Sequence, residues 1–154
     1  MIHPFRHIAV AYDGSGQARM ALDRAIDMAL DGPSGLSVVT VYEPVMVWEA
    51  GPMIGPVMSP EPSGEARKEA LNELLQQAVE LSRKRGVAEV RGELLQGHPA
   101  DALLSFVERE DVDLIVVGSR GYSATARLLL GSVSDAVVHH AHVAVLVVRP
   151  PVPR

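Results

Sequence analysis

The chain has no cysteine among its 154 residues. That excludes a disulfide framework, a thiolate metal site and a cysteine nucleophile, and it fits a reducing compartment such as the cytoplasm. Aromatic residues amount to only 4% against 47% apolar, so Val, Leu and Ala must do most of the packing, as suits a buried parallel sheet. Basic side chains are outnumbered, 14 Lys and Arg against 19 Asp and Glu. A net charge of −5 argues against the concentrated basic face that a phosphate backbone needs, and nucleic acid is not an expected partner. No apolar run approaches the roughly 20 residues that cross a bilayer. Met1 to Arg6 carries no long apolar core either, so neither a membrane partner nor a signal peptide is expected. Gly-Lys-Ser/Thr occurs nowhere, which removes the lysine and metal-binding hydroxyl of a P-loop NTPase. The stretch Gly14-Ser15-Gly16-Gln17-Ala18-Arg19 comes nearest to a dinucleotide fingerprint. It ends in arginine where helix and strand need a small residue to pack, so hydride chemistry is not expected.

What is present is an alternation of short β-branched runs with amphipathic stretches, in a length that suits one domain over residues 1–154. Ile8 to Ala11 reads as a strand buried on both faces. Ser15 or Gly16 opens a helix in which Ala18, Ala21, Leu22, Ala25, Ile26 and Ala29 recur at helical spacing, until Asp31-Gly32-Pro33-Ser34-Gly35 breaks it. Leu36 to Tyr42 is the second strand. Residues 43–63 hold five prolines and two glycines, too many for a helix or central strand, and form a long loop. Its Met46, Trp48, Met53, Ile54 and Met58 suit a lid and an interface equally.

A second helix spans Gly64 to Arg85, its apolar stripe formed by Leu71, Leu74, Leu75, Ala78 and Val79, with Gly86 just past its end. Val87 to Leu95 alternates with Glu89, Arg91 and Glu93 and reads as a peripheral strand. Pro99 starts a third helix; Leu114 to Val117, Ser132 to His140 and Val143 to Val148 give strand four, helix four and strand five. Five strands joined by helical crossovers predict an α/β fold, a doubly wound five-stranded parallel sheet with four helices. With strand order 3-2-1-4-5, the crevice for a ligand lies at the carboxyl ends of strands one and four.

The motifs fall at that crevice. After strand four comes Gly118-Ser119-Arg120-Gly121, then nine residues, then Gly131-Ser132-Val133-Ser134 at the start of helix four. Glycines let the backbone approach an anion, and the free N–H groups of a helix start point at negative charge. Ser132 and Ser134 can donate hydroxyl hydrogen bonds or cap the helix. Glycine after a strand and serine before a helix are also ordinary turn chemistry; the spacing as a whole favours phosphate binding. Facing it, Ala11-Tyr12-Asp13-Gly14-Ser15 ends strand one, where Asp13 can accept from a base or ribose or act as a helix cap.

These residues resemble the universal stress protein family, from Ile8-Ala9-Val10-Ala11-Tyr12-Asp13-Gly14-Ser15 to Val145-Leu146-Val147-Val148-Arg149-Pro150. Gly118, Gly121, Gly131 and Ser132 reproduce the Gly-x2-Gly-x9-Gly-Ser/Thr of its ATP-binding branch. The resemblance implies an adenine nucleotide alpha hydrolase-like fold and a stress-response or signalling module that binds ATP, with Mg2+ or Mn2+ held through the phosphates. It implies that Asp13 and Val41 contact adenine or ribose, that Gly118 lies by the ribose, and that Gly121, Gly131, Ser132, Val133 and Ser134 surround the phosphates. It also implies a homodimer through Val143 to Val148. Ala144 stands where the family often has proline, and Tyr12 where it often has valine.

In the expected mode of action, bound nucleotide orders loops and modulates what the dimer presents to partners. The alternatives are a nucleotide-independent scaffold, which the intact glycines disfavour, and a slow ATPase. Arg120 and Arg127 would serve the latter near the phosphates, or else be solvated loop residues. His139, His140 and His142 project to different sides of a helix and make a poor metal set. Arg83-Lys84-Arg85 suits a helix C-terminus better than a partner patch.

Overall fold

A computed structural model describes residues 5–44, 64–119 and 130–151. The chain runs β1 (His7–Ala11), α1 (Gly16–Leu30), β2 (Gly35–Tyr42), α2 (Gly64–Lys84), β3 (Val90–Gln96), α3 (Pro99–Arg109), β4 (Leu114–Gly118), α4 (Ser132–His140) and β5 (Ala144–Val148). All strand pairs are parallel and the sheet order is β3-β2-β1-β4-β5. The α/β architecture expected from the pattern is therefore present, and chain direction reverses between β1 and β4. Among the described residues no helix is long and apolar enough to cross a membrane. The long loop expected over 43–63 falls almost wholly outside the described residues.

Alternation along the strands sends side chains to two opposed cores. Ile8, Val10, Leu36, Val38, Leu114 and Val116 pack with α1 and α2. Ala9, Val39, Ile115 and Val117 pack with Leu103, Phe106 and Val107 of α3 and Val137 of α4. Phe106 is fully buried, a burial worth about 2–3 kcal/mol. Because both faces are covered, residues 8–11 and 114–117 are continuous apolar runs, and β2 is interrupted only by the buried Ser37 and Thr40.

The element ends follow from local chemistry. Ser15 caps α1, its Oγ accepting from the Ala18 N–H at 3.1 Å. At the end of α2, Gly86 takes φ +111°, and the Gly86 and Val87 amides donate back to the Arg83 and Ser82 carbonyls. This left-handed closure ends the helix. It also corrects the third strand, which begins at Val90 and not Val87, because Val87 belongs to the closure and is buried in the core. β3 is the sheet edge its charges suggest, but only Arg91 among its acidic and basic residues is well exposed; Leu95 packs into the α3 core. Gly92 is there for space: a Cβ would come within 2.9 Å of Val79 and 3.0 Å of Leu75.

Candidate functional site

β1 and β4 deliver their last residues to the switch point. Ala11 and Val41 are half-buried and, with Val133, pack against the α3–α4 core at its carboxyl end. Tyr12 points to the other core and is 9% exposed. Its main chain is fixed: the N–H donates to the Val39 carbonyl at 2.8 Å and the carbonyl accepts the Thr40 hydroxyl at 2.8 Å. Asp13 is exposed, and its Oδ1 accepts the Ser15 N–H at 2.9 Å. Asp13 thus shapes the turn, and Ser15, not Asp13, caps α1. Gly14 takes φ +80°, the left-handed conformation that lets this turn reverse into the helix.

On the β4 side, Gly118 answers to a close approach. A Cβ on it would lie 3.0 Å from the main-chain carbon and oxygen of Gln17, so only glycine lets the first turn of α1 rest on the end of β4. Ser119 follows and is 4% exposed. Its N–H donates to the Val148 carbonyl at 2.9 Å, its carbonyl accepts the Gly131 N–H at 2.7 Å, and its hydroxyl donates to Gln17 Oε1 at 2.6 Å. The Ser134 hydroxyl donates to the Gly118 carbonyl at 2.6 Å. These bonds tie α1, β4, α4 and β5 together at one point.

α4 begins without a side-chain cap. Gly131 is the N-cap, at φ −62° and ψ 159°, and among the described residues no side chain bonds to the helix start. Neither Ser132 nor Ser134 has the capping role that the pattern allowed, because Ser132 is already inside the helix and Ser134 is buried against Gly118. The first return bond runs from Asp135 N–H to the Gly131 carbonyl at 2.9 Å. The Ser132, Val133 and Ser134 amides therefore have no acceptor among the described residues, which is the ordinary condition of a helix start before a ligand or water satisfies it. Ser132 is exposed, so its hydroxyl is a further donor accessible at the helix start.

The structure thus brings Ala11, Asp13, Gly14, Val41, Gly118, Gly131, Ser132 and Val133 to the carboxyl edge of the sheet. It assigns the Gly131 N–H and the Ser134 hydroxyl to internal bonds. Arg120, Gly121 and Arg127 lie outside the described residues. Sequence reasoning passed over Gln17 and Ser119. Gln17 figured only in the rejected dinucleotide fingerprint, and Ser119 only as a spacer between two glycines; no local pattern marks a bond between residues 102 apart.

The donor set suits an anion carried on a neutral or polar body: free amides and a hydroxyl at a helix start, a carboxylate opposite, and aliphatic walls between. Among the described residues no group of three or more His, Asp or Glu is placed to hold a metal ion.

A sequence model for the family described as the Universal stress protein family matches residues 4–149. A universal stress protein of Thermus aquaticus is 38% identical over 94% of this chain and 99% of its own length. One of Methanocaldococcus jannaschii is 33% identical, over 96% and 84% respectively. Among solved structures, a universal stress protein in complex with cAMP superposes with TM-score 0.69 at 26% identity, covering 94% of this chain and 97% of that one. The universal stress protein of Archaeoglobus fulgidus in complex with dAMP gives TM-score 0.67 at 26% identity, covering 94% and 98%.

Proposed function

The chain belongs to the universal stress protein family, and from that premise we propose that it is an ATP-binding stress-response module of the cytoplasm. The observation that carries this reading is the start of α4, where the Ser132, Val133 and Ser134 amides and the Ser132 hydroxyl form an uncapped set of donors beside the switch point. The two adenine mononucleotide complexes among the structural relatives support the same chemistry. Asp13, whose Oδ2 accepts no bond from a described residue, would take the ribose or base, with Ala11 and Val41 as the apolar wall. Mg2+ or Mn2+ would be carried on the phosphate oxygens.

The edge strand β5 pairs, among the described residues, with β4 alone, and its Val145 to Val148 are half-buried. A second copy adding its own β5 would cover that edge and give the homodimer we propose. The bond from Ser119 N–H to the Val148 carbonyl joins the nucleotide site to this edge. Occupancy of the site can then bias what the dimer presents only in so far as ATP prefers one arrangement of the two.

Ser132→Pro tests the reading. Proline is well tolerated at the first helical position, and Gly131 already has the extended conformation a following proline requires. The variant loses one free amide and the hydroxyl without loss of fold. Calorimetric titration should show ATP binding to the wild type and an affinity at least about tenfold weaker in the variant, as for lost hydrogen bonds to a charged group. An unchanged affinity, or a wild type that ignores millimolar ATP, would overturn it.

A further inference from the structure

Gln17 stands in the first turn of α1, half-buried, with its main chain in contact with Gly118. Its Oε1 accepts the Ser119 hydroxyl at 2.6 Å. Ser119 in turn holds Gly131 through its carbonyl, at 2.7 Å, and Gly131 is the residue from which the free amides of α4 begin. A short chain of bonds therefore runs from Gln17 through Ser119 to the donors at the start of α4.

Resting on the nucleotide reading above, we infer that Gln17 is a positioning residue of the phosphate site: it acts through Ser119 to set where the α4 amides stand, and so favours a phosphate chain over the bare nucleoside. Three physical points carry this. The Ser119 hydroxyl is on a residue that is 4% exposed, where a polar group left without its partner is costly. Its bond to Gln17 tethers the residue whose carbonyl holds Gly131, and either Gln17→Met or Ser119→Ala cuts that tether. Hydrogen-bond strength falls steeply with distance and angle, so a displacement of the donor set weakens contacts to phosphate oxygens while leaving apolar contacts to a base nearly unaffected. The wall residues Ala11 and Val41 sit on β1 and β2, outside this chain of bonds.

The test is a double-mutant cycle read with two ligands. ATP and adenosine are titrated by calorimetry into the wild type, Gln17→Met, Ser119→Ala and the double variant. Each single change should weaken ATP about fivefold, a hydrogen bond's worth, while adenosine stays within about twofold; the double variant should be no weaker than either single one, as expected when two residues act through one bond. Equal losses for both ligands, additive losses in the double variant, or unchanged ATP affinity would overturn the inference and leave the nucleotide reading standing. A wild type that binds neither ligand would remove the nucleotide reading itself, and this inference with it. Should the methionine variant not fold, Gln17→Ala, a better helix former, carries the same expectations.

Discussion

The two ends of the sheet handle their polar groups in opposite ways. At the amino end, His7 Nδ1–H donates to the Glu110 carbonyl at 3.0 Å, which leaves Nε2 to accept the Ser37 hydroxyl at 2.8 Å. Arg91 Nε donates to Ser37 Oγ at 3.3 Å and its Nη2 to Glu110 at 3.1 Å. Asp113 accepts the Arg6 and His7 amides. Each of these groups bonds to another part of the protein. At the carboxyl end the bonds stop short: Ser119, Ser134 and Gly131 are tied, but the Ser132, Val133 and Ser134 amides of α4 have no acceptor among the described residues. A parallel sheet has both ends built by loops, so loop structure alone does not make a site. The difference, among the described residues, is that one end ties these groups to one another and the other holds a helix start whose amides have no partner.

That contrast can be broken most forcefully at Gly118. Gly118→Val would drive a branched side chain into the main chain of Gln17, and main chain does not move aside as a flexible side chain would. A destabilisation of about 3 kcal/mol is expected, read as a lower urea midpoint, together with loss of nucleotide binding. If the variant keeps wild-type stability, the close approach of α1 and β4 is not what glycine is there for.

A smaller change at the opposite end should separate stability from binding. His7→Ala leaves the Ser37 hydroxyl, which is 0% exposed, without its acceptor, at an expected cost of about 2 kcal/mol. Urea denaturation would record this, and ATP affinity should not change. Adding Ser37→Ala to that variant should recover part of the loss, because no orphaned hydroxyl then remains. Reduced ATP affinity in the folded variant would show that the two ends are not independent.

The smallest effect concerns acid. Glu110 is held below its ordinary carboxyl value of 4.5 by the hydrogen bond from Arg109 first and then by the charge of Arg91. A lowered value means the ionised form is favoured by folding, so this contribution is present above pH 4.5 and fades as the pH falls through the lower folded value. The Glu110 side chain is partly exposed and its Arg91 and Arg109 partners are more so, and screening by solvent keeps such pairs weak. Glu110→Gln should therefore be slightly less stable than wild type at neutral pH and indistinguishable from it in acid, in urea midpoints measured across that range. A gap that persists in acid would mean that some other interaction of Glu110 is responsible.

Much of the architecture was legible before any coordinates. Ala18, Ala21, Leu22, Ala25, Ile26 and Ala29 mark the buried stripe of α1, Gly86 marks the end of α2, and Pro99 the start of α3, because periodicity, left-handed glycine and the missing proline N–H act within a few residues. The crevice followed from strand order, itself constrained by right-handed crossovers. Less legible were boundaries: Val87 looked like strand because it is apolar and alternates, whereas the closure of α2 claims it first.

Residue types and their spacing were enough to mark Gly118, Gly131 and Ser132 as one candidate pattern at the carboxyl edge of the sheet and to order the elements that carry it. They could not say which donors in that pattern stay available. The Gly131 amide goes to Ser119 and the Ser134 hydroxyl to Gly118, while Gln17 reaches Ser119 across 102 positions of sequence. Such bonds exist only once β1 and β4 lie side by side and α1 rests on a residue with no side chain. Hydrogen bonding is short-ranged in space and indifferent to separation along the chain, so the available donors were decided by the packed fold.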